Sequence, residues 1–202
     1  VYDSKTFGDY TFFVNKKTGE TCTTITSEKD KISWLRETSD GTSAWYGFDN
    51  SEGALPNDSV VSVRWLSKED GEEFDKMLEK AKTGASNLGT IVEGDKIWIF
   101  DLNAYAKDTN GTWKSTEFAD GKKMKVYIEL GDDWDMDDVN ALCIDNNGKV
   151  TKDKVEGTEL KEINGVSKRF AVLSLEHFSP HIIYDEEKAK SVWEKLEKVA
   201  EE

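Results

Sequence analysis

Four segments in the second half of this chain carry a period-two pattern of apolar residues: K-I-W-I-F-D-L-N-A-Y (96 to 105), K-M-K-V-Y-I-E-L (123 to 130), V-N-A-L-C-I-D (139 to 145) and K-R-F-A-V-L-S-L (168 to 175). Successive side chains of a strand point to opposite faces, so this period fits strands with one face buried and does not fit helices. Between the segments stand Asn110-Gly111, Asp120-Gly121 and Asn147-Gly148, the residue pairs that take the positive φ of tight turns. Short strands at this spacing predict an antiparallel β-sandwich.

The first third reads the same way. Strands are expected near 10 to 14, 20 to 26, 31 to 35, 44 to 48 and 60 to 66, with N-K-K-T-G as the hairpin loop between the first two. One stretch breaks the pattern. From Ser67 to Thr83 a capping pair, Ser67 and Asp70, precedes Phe74, Met77, Leu78 and Ala81 on one helical face, with Gly84 placed to stop the helix. A second amphipathic helix is expected over 185 to 202, with Asp185 as N-cap and Ala189, Val192, Trp193, Leu196 and Val199 on its apolar stripe. The fold class is therefore mainly β, α+β in total. Residues 1 to 84 form a β-rich part ending in the helix 67 to 83, residues 90 to 184 the sandwich, and residues 185 to 202 the closing helix.

The formal net charge is −14, from 41 acidic against 27 basic residues. A surface of that sign repels phosphate backbones and anionic lipid, which argues against nucleic acid and membrane surfaces as partners. No run of about 18 apolar residues and no basic-then-apolar leader is seen, and the abrupt start and charged end read as a piece of a longer protein. Cys22 and Cys143 each sit in a strand-like run and read as buried thiols, with a bridge as the alternative in an exported protein.

Both histidines fall in L-E-H-F-S-P-H-I-I-Y, from Leu175 to Tyr184. The inward set before this point is Ala171, Leu173 and Leu175, and after it Phe178, Ile182 and Tyr184. The step of three from Leu175 to Phe178 breaks the alternation, so a bend is expected at Glu176 and His177. His177 and His181 are four apart, a metal-binding spacing on a helix, but the β pattern and the lack of a third ligand speak for no metal there. No cofactor is expected. The loop G-D-D-W-D-M-D-D offers Asp133, Asp135 and Asp137 to calcium, but without an EF-hand glycine it reads as a solvated acidic turn. Of seven tryptophans, Trp113 and Trp134 fall at turns, where an exposed indole could stack on a sugar ring. No nucleophile elbow, phosphate loop or nucleotide fingerprint is present, so an enzyme acting on an external substrate is not expected.

The stretch from Ile97 to Tyr184 resembles the ZU5-like β-sandwich module of large Gram-positive bacterial surface proteins. The residues that carry the likeness are I-F-D-L-N-A-Y, T-N-G-T-W, K-V-Y-I-E-L-G, V-N-A-L-C-I-D-N-N-G-K-V-T and F-A-V-L-S-L-E-H-F-S-P-H-I-I-Y. The preceding strand and helix, from L-P-N-D-S-V-V-S-V-R-W-L to M-L-E-K-A, look like the segment that often accompanies it. His181 stands where such modules have tyrosine, and Cys143 where an aromatic is common. The resemblance implies an extracellular, cell-surface or secreted module with a structural or adhesive spacer role. Its expected partners are neighbouring domains of the parent protein, a polysaccharide or another surface protein. A carbohydrate-binding module using Trp113 and Trp134 is the alternative. A second alternative is self-cleavage between Phe178 and Ser179, as the H-F-S of some ZU5-like relatives implies: Ser179 Oγ would attack the Phe178 carbonyl, His177 would be the base, and Pro180 would hold Ser179 extended.

Overall fold

A computed structural model of the chain describes residues 2–7, 10–16, 21–39, 42–66, 71–88, 97–131, 139–145, 149–178 and 181–185. Among them are fourteen strands and one helix. The first six strands are β1 (Tyr2–Phe7), β2 (Tyr10–Asn15), β3 (Thr21–Thr24), β4 (Ser33–Ser39), β5 (Thr42–Asp49) and β6 (Val60–Leu66). The helix α1 (Glu72–Asn87) follows, then β7 (Ile97–Lys107), β8 (Trp113–Ser115), β9 (Met124–Glu129), β10 (Val139–Ile144), β11 (Val150–Lys152), β12 (Lys154–Ile163), β13 (Val166–Leu175) and β14 (His181–Asp185).

The strands make two antiparallel sheets. The larger has the order β1-β2-β3-β6-β7-β14-β10-β11, with β8 added as a hairpin on β7; the smaller has the order β12-β13-β9-β5-β4. Strands from both sides of α1 are neighbours in each sheet, since β6 pairs with β7 in one and β5 with β9 in the other. The expected mainly-β, sandwich-like architecture is what forms.

Register explains the core. In the smaller sheet Leu35, Tyr46, Ile128 and Ala171 lie in one cross-strand row. From the larger sheet Val61, Val63, Phe100, Leu102, Ala104, Ala141 and Ile183 join the same cluster. The Tyr46 and Phe100 rings meet across the gap with centroids 5.9 Å apart. Burying a ring such as Phe100 contributes about 2–3 kcal/mol. The other face of the larger sheet is buried as well: Leu66, Ile99, Leu142, Ile144, Ile182 and Tyr184 pack against Phe74, Ala81 and Ala85 of α1.

Burial on both faces corrects the expected inward set. β14 is a central strand, so Ile182 and Tyr184 turn to the helix, while Ile183 faces the opposite sheet. The bend expected after Leu175 is present, and it is the point where the chain leaves β13 in the smaller sheet for β14 in the larger. The helix also differs from expectation. Gly84 does not stop it but lies within it, and a Cβ there would stand 2.1 Å from Val150 Cγ2, so only glycine lets β11 approach. Ser67 and Asp70, and the closing helix expected over 185–202 beyond Asp185, lie outside the described residues.

Candidate functional site

One rim of the larger sheet gathers the chain's rare side chains. His181, the first residue of β14, pairs with Phe100 of β7 on one side and Cys143 of β10 on the other. Trp65 pairs with Phe100 and Thr151 with Cys143. Directly paired residues share a face, so Trp65, Phe100, His181, Cys143 and Thr151 form one cross-strand row. His181 and Cys143 are fully buried. The Phe100 ring stacks on the His181 imidazole with centroids 5.3 Å apart and planes 25° apart, which fixes the ring's orientation.

Two connections between the sheets supply the remaining groups. The first starts with the β10–β11 hairpin, closed by Asp145: its N–H donates to Lys149 O at 2.9 Å, and its carboxylate accepts from Lys149 N–H at 2.8 Å. β11 then runs beside β10, and the Asp153 N–H donates to Ala141 O at 3.0 Å, one residue past the end of the strand. That bond delivers the Asp153 carboxylate to His181, where Oδ2 lies 2.6 Å from Nδ1. An ionised carboxylate only accepts, so the proton of this contact sits on Nδ1. In a neutral ring the lone pair then falls on Nε2, which is buried and has no hydrogen-bond partner among the described residues.

The second connection, from β13 to β14, brings His177. Its ring lies nearly parallel to that of His181, at 15° and 6.4 Å between centroids. Its Nδ1 and Nε2 are 3.7 and 4.0 Å from Cys143 Sγ. His177 is exposed, while the thiol beneath it is not. Cys143, Asp153 and His181 together offer a sulfur, an oxygen and a nitrogen within 4.8 Å of one another.

This arrangement differs from a Cys-His-Asp relay. The imidazole held by the carboxylate is His181, whereas the imidazole at 3.7 Å from the thiol is His177, so the relay is divided between two rings. The donor set instead matches what holds a borderline-soft metal ion: thiolate, imidazole and carboxylate.

The other residues singled out by the sequence are scattered. Phe178 is half-buried and meets Phe118 edge-on at 4.5 Å between centroids, plugging the gap between the sheets; Ser179 and Pro180 lie outside the described residues. Cys22 and Cys143 form no disulfide. β3 and β10 are four strand steps apart in the larger sheet, about 19 Å at the usual spacing, beyond the reach of a bridge. Trp113 is 40% exposed, with the Lys107 ammonium 5.2 Å from its ring centroid, and Trp34 and Trp45 are buried. Trp134, Asp133, Asp135 and Asp137 lie outside the described residues.

Sequence reasoning missed Asp153 and read Cys143 only as core. The Asn147-Gly148 pair signals a turn, but not what the strand after it reaches. The β10–β11 register sets Asp153 beside Ala141, whose partner on the other side of β10 is Ile183 of the histidine strand β14.

No known protein family, curated protein or solved structure matches this chain. Among the described residues no helix is long and apolar enough to cross a membrane.

Proposed function

We propose that this chain is a non-catalytic structural and adhesive module, ZU5-like in kind, of a larger cell-surface or secreted Gram-positive bacterial protein. The observation that carries the reading is that packing takes up the reactive side chains. Cys143 and His181 are fully buried in the inter-sheet row, and of the cluster only His177 is exposed. A nucleophile without access to solvent acts on no external substrate. The sharing of both sheets by strands from either side of α1 supports the same reading, because the described strands then resist separation as one body. The negative surface suits an extracellular position and a neighbouring domain, polysaccharide or surface protein as partner.

The test is to label intact cells of the producing bacterium with antibodies to the folded chain. Labelling before lysis, together with adhesion lost when the segment is deleted from the parent gene, is the expected result. Signal only after lysis overturns the proposal.

A second reading rests on Trp113, whose indole is exposed and offers a planar aromatic surface on which a sugar ring can stack. Retardation in a polysaccharide-containing native gel, abolished by Trp113→Ala, would establish carbohydrate binding as the adhesive activity. Equal mobility of both proteins on every polysaccharide removes it.

A further inference from the structure

We infer that the outer face of the smaller sheet is a docking surface, and that its occupant is the segment of this chain that follows β14, residues 186–202. The face is aromatic and buried, and no described helix or strand lies on it.

Register identifies the face. Leu35, Tyr46, Ile128 and Ala171 look toward the larger sheet, where Tyr46 meets Phe100. Neighbours along a strand point to opposite faces, so the adjacent cross-strand row of Trp34, Gly47, Tyr127 and Val172 looks outward. Trp45 and Phe170, two residues before Gly47 and Val172, lie on the same outward side.

An antiparallel sheet with one face in water carries polar residues there. Here Trp34, Trp45, Tyr127, Phe170 and Val172 are all between 0% and 5% exposed. The Trp34 indole covers Gly47 and reaches the Tyr127 and Phe170 rings. Rings on the surface of a sheet keep one side in water unless a further layer lies on them, so burial this complete requires that layer. Lys161 supplies part of it, with its ammonium 5.4 Å from the Tyr127 ring centroid. The described helix and strands do not supply the rest: the strands all belong to the two sheets, and α1 packs on the far face of the larger one.

Three stretches outside the described residues are long enough to form a layer. Residues 89–96 join α1 to β7, which both belong to the side of the larger sheet. Residues 132–138 read D-D-W-D-M-D-D, and five aspartates make a poor cover for aromatic rings. Residues 186–202 carry Ala189, Val192, Trp193, Leu196 and Val199 at helical spacing, the apolar stripe that such a face needs.

Length and reach agree with this choice. A helix rises about 15 Å from Ala189 to Val199. The row from Val172 on β13 to Trp34 on β4 crosses neighbouring strands over about 14 Å. The segment starts at Asp185, four residues beyond His181, whose partner Phe100 meets Tyr46 of the smaller sheet. Sheets pack about 10 Å apart, and residues 186–202 extend up to about 55 Å, enough to round the sandwich. Docked there, the segment gives the smaller sheet the covering layer that α1 gives the larger one, and it closes the aromatic face to outside ligands.

The test is lysine cross-linking of the full chain with a short bis-succinimidyl reagent, read by mass spectrometry. The expected links join Lys190, Lys195 or Lys198 to Lys125, Lys161 or Lys168 of the smaller sheet within one chain. Trp193→Asp should abolish those links and lower the melting temperature by about 5–10 °C. It should also open the remaining tryptophans to quenching by acrylamide, with far-ultraviolet circular dichroism showing the sandwich intact. Links from the segment to Lys76, Lys80 or Lys82 of α1 in their place overturn the proposal, as does the absence of any link to the smaller sheet. So do links that form only between two copies. Quenching that rises in Trp134→Asp and not in Trp193→Asp overturns it as well, by making residues 132–138 the cover.

Discussion

Gly84 of α1 lies against Val150 of β11 so closely that an added Cβ would stand 2.1 Å from Val150 Cγ2 and 2.2 Å from Val150 Cβ. Replacing an interior helix glycine by alanine ordinarily stabilises by about 1 kcal/mol. Here the methyl overfills the joint between helix and sheet, at a cost of roughly 1–3 kcal/mol or more. Gly84→Ala is therefore expected to lower the urea midpoint. Val150→Ala should not rescue it, because the Cβ that remains is already in the way. A higher midpoint for Gly84→Ala would show that the helix does not rest on β11.

Asn50, fully buried just past β5, acts as a side-chain turn. Its Nδ2 donates to Leu55 O at 2.8 Å and its Oδ1 accepts from Leu55 N–H at 3.0 Å. Asn50→Leu keeps the size but strands both backbone groups, each at about 1–3 kcal/mol. Asn50→Asp loses the donor and faces a carbonyl with a charge. Both variants should fall by about 2–5 kcal/mol in chemical denaturation, and a loss under 1 kcal/mol would mean that water replaces the side chain.

Strand identity was legible wherever one face is apolar, as in β4 at one edge of the smaller sheet, and illegible where neither face is, as in β12 at the other edge. β12 escaped notice because its residues K-V-E-G-T-E-L-K-E-I are nearly all exposed or half-exposed on the rim of the smaller sheet. Charge along an edge blunts pairing with other chains and so erases the apolar period. Yet Asn164-Gly165, both at positive φ between paired Ile163 and Val166, is the two-residue hairpin signal that would have located it. The site was less legible than the fold. His177 and His181 stood out by rarity, but the nearness of Cys143 and Asp153 depends on which strand lies beside β14. Sequence order does not contain that neighbour: β14 inserts between β7 and β10.

Gly47 pairs directly with Trp34, and a Cβ at Gly47 would come 2.5 Å from Trp34 Cζ3. The indole thus covers a glycine on the neighbouring strand, an arrangement that compensates the missing side chain. From there it reaches Tyr127 and Phe170, at 6.0 and 5.0 Å between centroids. Gly47→Ala should lift the indole from both rings, lowering stability by about 1–3 kcal/mol and changing the near-ultraviolet circular dichroism. An unchanged aromatic spectrum would show that the ring accommodates the methyl in place.

Tyr127, beneath that indole, links the same cluster to pH. Burial, followed by the nearby carboxylates of Glu159 and Asp49, pushes its phenol up from 10.0 to about 12. The folded state therefore keeps its proton to higher pH than the unfolded chain, and this group's contribution is complete below pH 10. Between pH 10 and 12 the unfolded chain has released the proton and the folded one has not, so stability falls as pH rises. The full loss from this group is roughly 1–2 kcal/mol, less than a shift of about two pH units would give in a site closed to solvent, because water screens part of the interaction. Lysines titrate in the same range, so the measurement is the difference between the native protein and Tyr127→Phe in urea unfolding at pH 9, 10, 11 and 12. The native protein should lose stability relative to the variant across that interval, and a difference that stays constant with pH would place the phenol's ionisation in contact with water.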